Sequence, residues 1–162
     1  MSSSELDERG FAARWRAAWG SAEREAFAEC CSAGVTYEDP VAGEPIEGLD
    51  AIATHAGRYR QVFPDLRIEP AGESVVEDGF ACVPWRLLGT HRGALAGIPA
   101  SGRFVVVHGL HYLEMHDGRV RRARGFFDLY DAAVQLGLLP ARGSLAETAL
   151  LLYRGFGLRP RA

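Results

Sequence analysis

The sequence predicts an α+β fold in which three N-terminal helices pack on a strongly curved, mainly antiparallel sheet, with an extra helix at the C-terminus. Two observations support this prediction. Apolar residues recur at helical spacing as far as Pro64 and then change to alternation along the chain. Glu77-Asp78-Gly79 and His116-Asp117-Gly118 separate alternating runs and are typical hairpin turns. The 162 residues, 48% of them hydrophobic, are enough for one buried core.

The helices are predicted from apolar spacing and from stop signals. Residues 4–19 carry Trp15 and Trp19 one turn apart, which predicts the first helix. A short second helix is expected within residues 21–34, with Gly34 as its C-terminal stop. The third helix covers residues 49–62 and cannot continue through Pro64.

The second half of the chain is predicted to form four or five strands. "VTYEDP", residues 35–40, is expected to be a short extended piece before the third helix. Alternation begins at Leu66 and resumes in "GRFVVVHGLHYLEMH" and "GRVRRARGFFDLY". Helices that cover one face of a curved sheet leave a conical cavity, and this cavity is the default ligand site.

The C-terminal segment, residues 141–162, is predicted to be a helical extension of a single domain formed by residues 1–140. Ser144 and Glu147 have the spacing of a capping box, and the apolar run "TALLLYRGF" follows them. Such a run needs to cover apolar surface. We expect the helix to pack on the domain or on a partner chain.

Composition argues against several classes of protein. The net charge is −3 and most arginines are scattered, so a nucleic-acid partner is not expected. The sequence has neither an apolar run of about 20 residues nor a signal-peptide pattern, which predicts a cytoplasmic protein without a membrane partner. Three cysteines without a metal-ligand spacing predict neither a disulfide framework nor a metal site.

The candidate site begins at Asp128, which stands where an aromatic strand gives way to a helix. Asp before a helix is a favoured N-cap, so position alone favours capping over chemistry. Strand alternation puts Arg124, Phe126 and Asp128 on one face and Gly125 on the other.

Other polar residues sit at the ends or in the middle of predicted strands. A lone strand histidine such as His111 is more often a hydrogen-bonded residue than a catalyst, and His108 belongs to the opposite face. His91 ends a strand beside a loop rich in glycine, which suggests a gate over the cavity. Tyr37 and Asp39 form a second candidate polar pair, although Asp before Pro is also a common turn.

Four motifs in order resemble the SnoaL-like polyketide cyclases, a family with the nuclear-transport-factor-2-like (NTF2-like) cone fold. The motifs are "VFPDLRIE", "GTHRGALAGIPASGR", "HDGRV" and "FDLYDAAVQLGLLP". The resemblance, which runs from about Trp15 to Pro140, implies a homodimer with a cofactor-free pocket. It also implies that Asp128 is the catalytic acid, and it matches His111 and His91 to family histidines. Arg124 departs from the family, which usually has tryptophan there.

This resemblance predicts a cyclase of aromatic polyketide biosynthesis that closes a ring by aldol-type chemistry. The reaction needs a base and a donor for the enolate oxygen. With the Asp128 face turned inward, apolar walls formed by Phe126 and Trp85 would raise the pKa of the acid, whereas Arg124 would lower it. Two alternatives stay open: epoxide opening or ketosteroid-isomerase-like chemistry, and non-catalytic binding or assembly.

Overall fold

The computed structural model describes residues 3–95 and 97–155, and for residues 3–9 it describes the backbone alone. The described chain contains five helices and seven strands. In chain order these are α1 Ser3–Ser21, α2 Arg24–Cys30, β1 Cys31–Glu38, β2 Ile46–Glu47, α3 Leu49–Val62, β3 Arg67–Pro70, β4 Val75–Glu77, β5 Phe80–Thr90, β6 Phe104–His116, β7 Arg119–Phe127, α4 Leu129–Leu136 and α5 Leu145–Tyr153. The predicted α+β architecture is confirmed.

The strands form a single sheet in the order β2-β1-β7-β6-β5-β3, and β4 also pairs with β5. Every pairing is antiparallel except that of β1 with β7. The two predicted hairpin turns join β4 to β5 and β6 to β7. At the second turn both Asp117 and Gly118 have positive φ, as a tight Asp-Gly connection requires.

The second helix and the first strand differ from the prediction. Helix α2 ends at Cys30, and β1 begins directly at Cys31. Gly34, the expected helix stop, therefore lies inside a strand, and the predicted short extended piece is the second half of that strand. The apolar and small residues around Cys31 fit a helix and a strand equally well, so local spacing did not separate them. The sheet also has more strands than the four or five expected.

Helices α1–α3 pack against the inner face of the sheet and form the main core. Its centre is fully buried and is formed by Trp15 and Phe27 from the helices and by Val83 and Leu113 from the sheet. A second apolar cluster lies under the far end of the sheet, around Trp85. The cavity described below lies beside this second cluster.

Helix α4 is held over the inner face by the side chain of Gln135, which makes the two backbone hydrogen bonds that a neighbouring strand would make. Beyond the end of β7, the backbone N–H and C=O of Val106 bond to the amide of Gln135, both at 2.8 Å. Gly137 ends the helix with φ of 81°, a left-handed conformation that favours glycine. The register of α4 on β6 is thereby fixed.

Helix α5 carries the predicted cap but covers little. The Ser144 hydroxyl accepts a hydrogen bond from the backbone N–H of Glu147 at 3.1 Å. Leu145 and Tyr153 are 90% and 87% exposed. Tyr130 of α4 donates to the Glu147 carboxylate at 2.9 Å. The domain boundary at residue 140 and the surface that α5 covers stay predictions, and the extension beyond residue 155 lies outside the described residues.

In the part of the chain that the structure describes, no helix combines the length and the apolar character that crossing a membrane requires.

Gly109 leaves space for Trp85, a wall of the cavity. A Cβ on Gly109 would lie 2.2 Å from Cζ2 of the Trp85 ring, which is stiff and buried. We therefore expect Gly109→Ala to lower the free energy of unfolding by about 1–3 kcal/mol. Gly34→Ala is the control, because nothing lies within 4 Å of its added Cβ. Urea unfolding of both variants measures the difference, and equal stability would contradict the packing described.

Candidate functional site

An apolar cavity of about 250 Å³ lies between the helices and the inner face of the sheet. Its wall consists almost entirely of carbon atoms. The aromatic residues that line it are Trp19, Tyr37, Tyr59, Phe63, Trp85, His111 and Phe127. Its open side is bordered by Val41, Leu129 and Leu138, which line the cavity and are 38–49% exposed. The predicted cavity thus exists, and its chemistry suits a hydrophobic ligand.

Behind the aromatic wall lies a buried carboxylate, that of Asp39. Its side chain is 0% exposed. One oxygen, Oδ2, accepts hydrogen bonds from the hydroxyls of Tyr37 at 2.9 Å and Tyr59 at 3.0 Å, and contacts His55 Nε2 at 2.8 Å. The other, Oδ1, accepts the backbone N–H groups of Val41 and Ala42, both at 2.7 Å. All of the carboxylate's hydrogen-bonding capacity is therefore directed at protein donors.

These partners decide the charge of Asp39. Burial raises the pKa of its carboxyl, but the hydrogen bond and charge of His55 and the two backbone N–H groups outweigh burial and lower the pKa to about 2. Burial, and then the negative charge of Asp39, raise the pKa of Tyr37 well above its usual range. The same two causes raise the pKa of Tyr59. The site therefore holds an ionised carboxylate between two neutral phenols.

His111 continues the network on the sheet side. Its ring is enclosed by three indoles, with ring centroids 5.5 Å from Trp15, 5.0 Å from Trp19 and 5.2 Å from Trp85. The indole N–H of Trp15 donates to Nδ1 at 3.0 Å, and Nε2 lies 3.4 Å from the Tyr37 oxygen. Burial lowers the pKa of His111 to about 3, although the charge of Asp39 opposes this. The imidazole is therefore neutral at neutral pH.

Two pairs of helical residues that were not predicted to belong to the site complete the network. His55 and Tyr59 stand one turn apart on α3, and Trp15 and Trp19 stand one turn apart on α1, so each pair shares a helix face. The available signal was His55 itself, a polar residue between Ile52 and Ala56 on the core face of a helix. A histidine in that position needs a buried partner.

Gly125 creates the space in which Tyr37 reaches His111. It pairs with His111 across the sheet, and a Cβ there would lie 2.4 Å from the Tyr37 hydroxyl and 3.1 Å from Asp39 Cβ. Any larger residue would push the phenol away from the carboxylate. The glycine is thus part of the site, although it carries no functional group.

The predicted inward orientation of Asp128 is wrong. The inner face of β7 carries Ala123 and Gly125, whereas Arg124 is turned the other way and Phe126 is 52% exposed. Asp128 is exposed, and its Oδ1 accepts the backbone N–H of Asp131 at 2.8 Å as the N-cap of α4. Asp128 therefore has the geometry expected of a helix cap. It is not among the residues that line the cavity, and a catalytic role for it stays a prediction.

Arg124 and Phe126, which were predicted to face the cavity with Asp128 and to contact the substrate there, lie on the opposite side of the sheet from the cavity. Arg124 donates to Glu38 at 2.6 Å, and Arg122 donates to the same carboxylate oxygen at 2.8 Å. Arg124 therefore forms its ion pair with Glu38. The small residues on the inner face leave room for Tyr37, and this decides which face of β7 turns inward.

The remaining predicted residues fall into two groups. Tyr37, Trp85 and His111 line the cavity, and Asp39 lies behind them. His91 is 0% exposed and anchors the following loop, because its Nδ1 accepts the backbone N–H of Ser101 at 3.0 Å. That loop covers one side of the cavity with Leu95 and Ile98. His91 thus acts on the cavity through the loop that it holds.

Comparison with known proteins identifies relatives of this architecture. The model of the SnoaL-like polyketide cyclase family matches residues 11–136. A solved structure assigned as a SnoaL-like polyketide cyclase from Jannaschia sp. CCS1 is 23% identical, covering 86% of this chain and 98% of that chain with a TM-score of 0.73. AclR from Streptomyces galilaeus, assigned as a hydroxylase, is 19% identical over 89% and 93% of the two chains, with a TM-score of 0.71.

A third solved structure is similar in the same way. IdmH from Streptomyces antibioticus, assigned as a polyketide cyclase, is 20% identical over 80% of this chain and 98% of that chain, with a TM-score of 0.68. At these identities the likeness establishes the fold alone. No curated protein sequence matches the chain significantly.

The neutral, buried state of His111 makes stability depend on pH. The unfolded histidine takes up a proton near pH 6.5, whereas the folded one, with a pKa of about 3, does not. As pH falls from about 6 to about 4, the unfolded chain binds one more proton, so this group lowers the free energy of unfolding by about 1.4 kcal/mol per pH unit. Urea unfolding across this range measures the slope.

His111→Gln is the control for this slope, since glutamine does not titrate. We expect the variant to lose stability more slowly on acidification, whatever its stability at neutral pH. The contribution of Asp39, with its pKa of about 2, disappears only below about pH 4. Parallel slopes for wild type and variant above that pH would show that His111 is not held neutral by burial.

Proposed function

Because the chain belongs to the SnoaL-like polyketide cyclase family, we propose that it is an enzyme that closes a ring in a polyketide-like carbonyl compound by aldol-type chemistry without a cofactor. One observation carries the proposal: the ionised carboxylate of Asp39 and its donors lie directly behind the wall of an apolar cavity. Burying a carboxylate is costly, and such groups concentrate at functional sites.

The proposed first step is removal of a proton from a carbon between two carbonyl groups. The electron pair left on that carbon moves onto a carbonyl oxygen and gives an enolate. Asp39 is the base in this scheme, and it receives the proton through the hydroxyl of Tyr59 or Tyr37, which both line the cavity and both donate to the carboxylate. The enolate carbon then attacks a second carbonyl carbon, and the alkoxide formed takes the proton back.

The phenols have a second use in this scheme. A carboxylate with a pKa of about 2 is a weak base at rest. When one of the two tyrosine hydroxyls turns from Asp39 to a substrate oxygen, the carboxylate loses a stabilising hydrogen bond and its proton affinity rises, while the other hydroxyl still contacts Asp39 and passes the proton to it. The same hydroxyl then stabilises the enolate as a hydrogen-bond donor. Base strength and enolate stabilisation therefore increase together on binding.

Ketosteroid-isomerase-like chemistry shares this first step and differs in where the proton returns. The geometry of Asp39 supports both reactions, and the product distinguishes them. Epoxide opening is less well supported, because Arg124, the cation that would assist Asp128 in that reaction, pairs with Glu38 on the other side of the sheet.

Non-catalytic binding is a second candidate, and one observation favours it. Asp39 already accepts hydrogen bonds on both oxygens, and the cavity wall exposes almost only carbon. A site of this kind can hold an apolar molecule without transforming it. Tight binding of a poly-β-ketone that is recovered unchanged would support this candidate.

The choice between Asp39 and Asp128 as the base has a sharp test. Asparagine is as good an N-cap as aspartate, so Asp128→Asn preserves α4 while removing the charge. With synthetic poly-β-ketones as substrates, we expect Asp39→Asn to lower turnover by about 100-fold or more, because it removes the base. Asp128→Asn is expected to keep turnover. Product formation is followed by mass spectrometry.

Folding is checked by circular dichroism in each variant, and Tyr59→Phe provides a milder change of the same network. If Asp128→Asn abolishes turnover while Asp39→Asn retains it, the base has been assigned to the wrong carboxylate.

We also propose that the protein is a homodimer, joined through the face of the sheet that points away from the helices. Pro84, Leu110 and Phe126 are neighbours across three strands on this face. Phe126 is 52% exposed. An apolar patch that spans neighbouring strands and exposes a large aromatic residue is typical of interfaces.

A cytoplasmic location, expected from the sequence, stays a prediction.

Phe126→Glu tests the dimer. A buried, unpaired carboxylate at the centre of this face would be costly, so we expect sedimentation equilibrium to give the mass of a monomer. Phe126→Leu, which preserves an apolar side chain, is expected to keep the dimer. A monomeric wild-type protein at all concentrations would contradict the proposal.

A further inference from the structure

The contact between Trp15 and His111 restricts the protonation state of the histidine. Trp15 of α1 and His111 of β6 are 96 positions apart in sequence and meet in the buried core. The indole Nε1 lies 3.0 Å from Nδ1 of His111. An indole nitrogen is a donor only, so Nδ1 must offer a lone pair and carry no hydrogen.

The other end of the network restricts Nε2 in the same direction. The carboxylate of Asp39 is an acceptor only, and the single hydroxyl proton of Tyr37 is donated to it at 2.9 Å. The Tyr37 oxygen is therefore left as an acceptor for Nε2, which lies 3.4 Å away. A donor-only group at one end and an acceptor-only group at the other fix the direction of every hydrogen bond between them.

Burial excludes the doubly protonated ring. His111 is 4% exposed and is surrounded by aromatic rings. Because the charged imidazolium is disfavoured there, the ring carries one proton, and the two contacts place it on Nε2.

We propose that Trp15 is a positioning residue, which holds His111 as the neutral Nε2–H tautomer so that the imidazole acts at the cavity as a hydrogen-bond donor and never as a base. The tautomer follows from the contacts alone. The role as donor to a substrate oxygen rests on the proposed function, since only a substrate with a developing negative oxygen would use it.

Trp19, in the same helix, provides a matched control that separates the hydrogen bond of Trp15 from its packing. Trp19 lies one turn further along α1, is buried, and stacks on His111 with centroids 5.0 Å apart. Its indole nitrogen is buried without a hydrogen-bond partner among the residues described. Trp15→Phe and Trp19→Phe therefore remove the same atoms next to the same histidine, but only Trp15→Phe removes a hydrogen bond to it.

The test is nitrogen NMR of protein labelled with ¹⁵N-histidine, at neutral pH and without any ligand. In the wild type we expect His111 to show a protonated Nε2 and an unprotonated Nδ1. In Trp15→Phe we expect a second population with the proton on Nδ1, because only the longer contact of Nε2 with Tyr37, at 3.4 Å, still favours the wild-type tautomer. Trp19→Phe is expected to keep the wild-type pattern.

Two results would overturn the proposal: a protonated Nδ1 in the wild type, or an unchanged tautomer in Trp15→Phe. The wild-type spectrum decides the first without any variant, so the proposal stays testable even if Trp15→Phe does not fold.

Turnover of a synthetic poly-β-ketone separates the positioning role from the proposed function. We expect kcat to fall by about 10- to 100-fold in Trp15→Phe, the size typical for the loss of a residue that orients a functional histidine. An altered tautomer with unchanged kcat overturns the role in the reaction. A wild-type protein that shows the predicted tautomer but converts no substrate counts against the proposed function. It does not contradict the proposal that Trp15 fixes the tautomer of His111.

Discussion

The buried carboxylate of Asp39 is the interaction on which the rest of the site depends. It stands just after β1, where the chain turns away from the sheet, and it accepts two backbone N–H groups of that turn. It also binds His55 and Tyr59 from α3. A single ionised group thus joins the edge of the sheet to a helix. Removing its partners one at a time would leave a charge in the core, which is costly.

The same group orients the side chains at the cavity. Tyr37 is held by the carboxylate on one side and contacts His111 on the other. His111 in turn receives the indole N–H of Trp15. Each group in this row has its hydrogen-bonding direction set by its neighbour, so the site is pre-organised before any ligand enters. The cavity wall is apolar, but the polar groups directly behind it have fixed positions and fixed hydrogen-bonding directions.

The sequence predicts the elements well where the signal is local and poorly where it is not. The spacing of Trp15 and Trp19 and the Asp-Gly turn at Gly118 are local patterns, and the corresponding helix and hairpin are confirmed. Alternation along β7 defines two faces but does not say which one is buried. Asp128 was assigned inward by family resemblance, whereas Gly125 is the residue that the packing of Tyr37 requires.

Asp39 was recognised only as a weak candidate, because Asp before Pro is also typical of an exposed turn. What distinguishes it is contact with residues distant in sequence, such as Tyr59, 20 positions away. Long-range burial of this kind has no signature in a single sequence. His55 was the nearest hint, since a histidine on the apolar face of an amphipathic helix requires a polar partner.

The enclosure of His111 has an optical consequence. The chain contains three tryptophans, and all three surround this one histidine within 5.5 Å of its ring centre. Two of them, Trp19 and Trp85, also line the cavity. The intrinsic tryptophan fluorescence of the protein therefore originates entirely at the site, with no distant tryptophan to dilute it. Occupation of the cavity can be followed directly in the unlabelled protein.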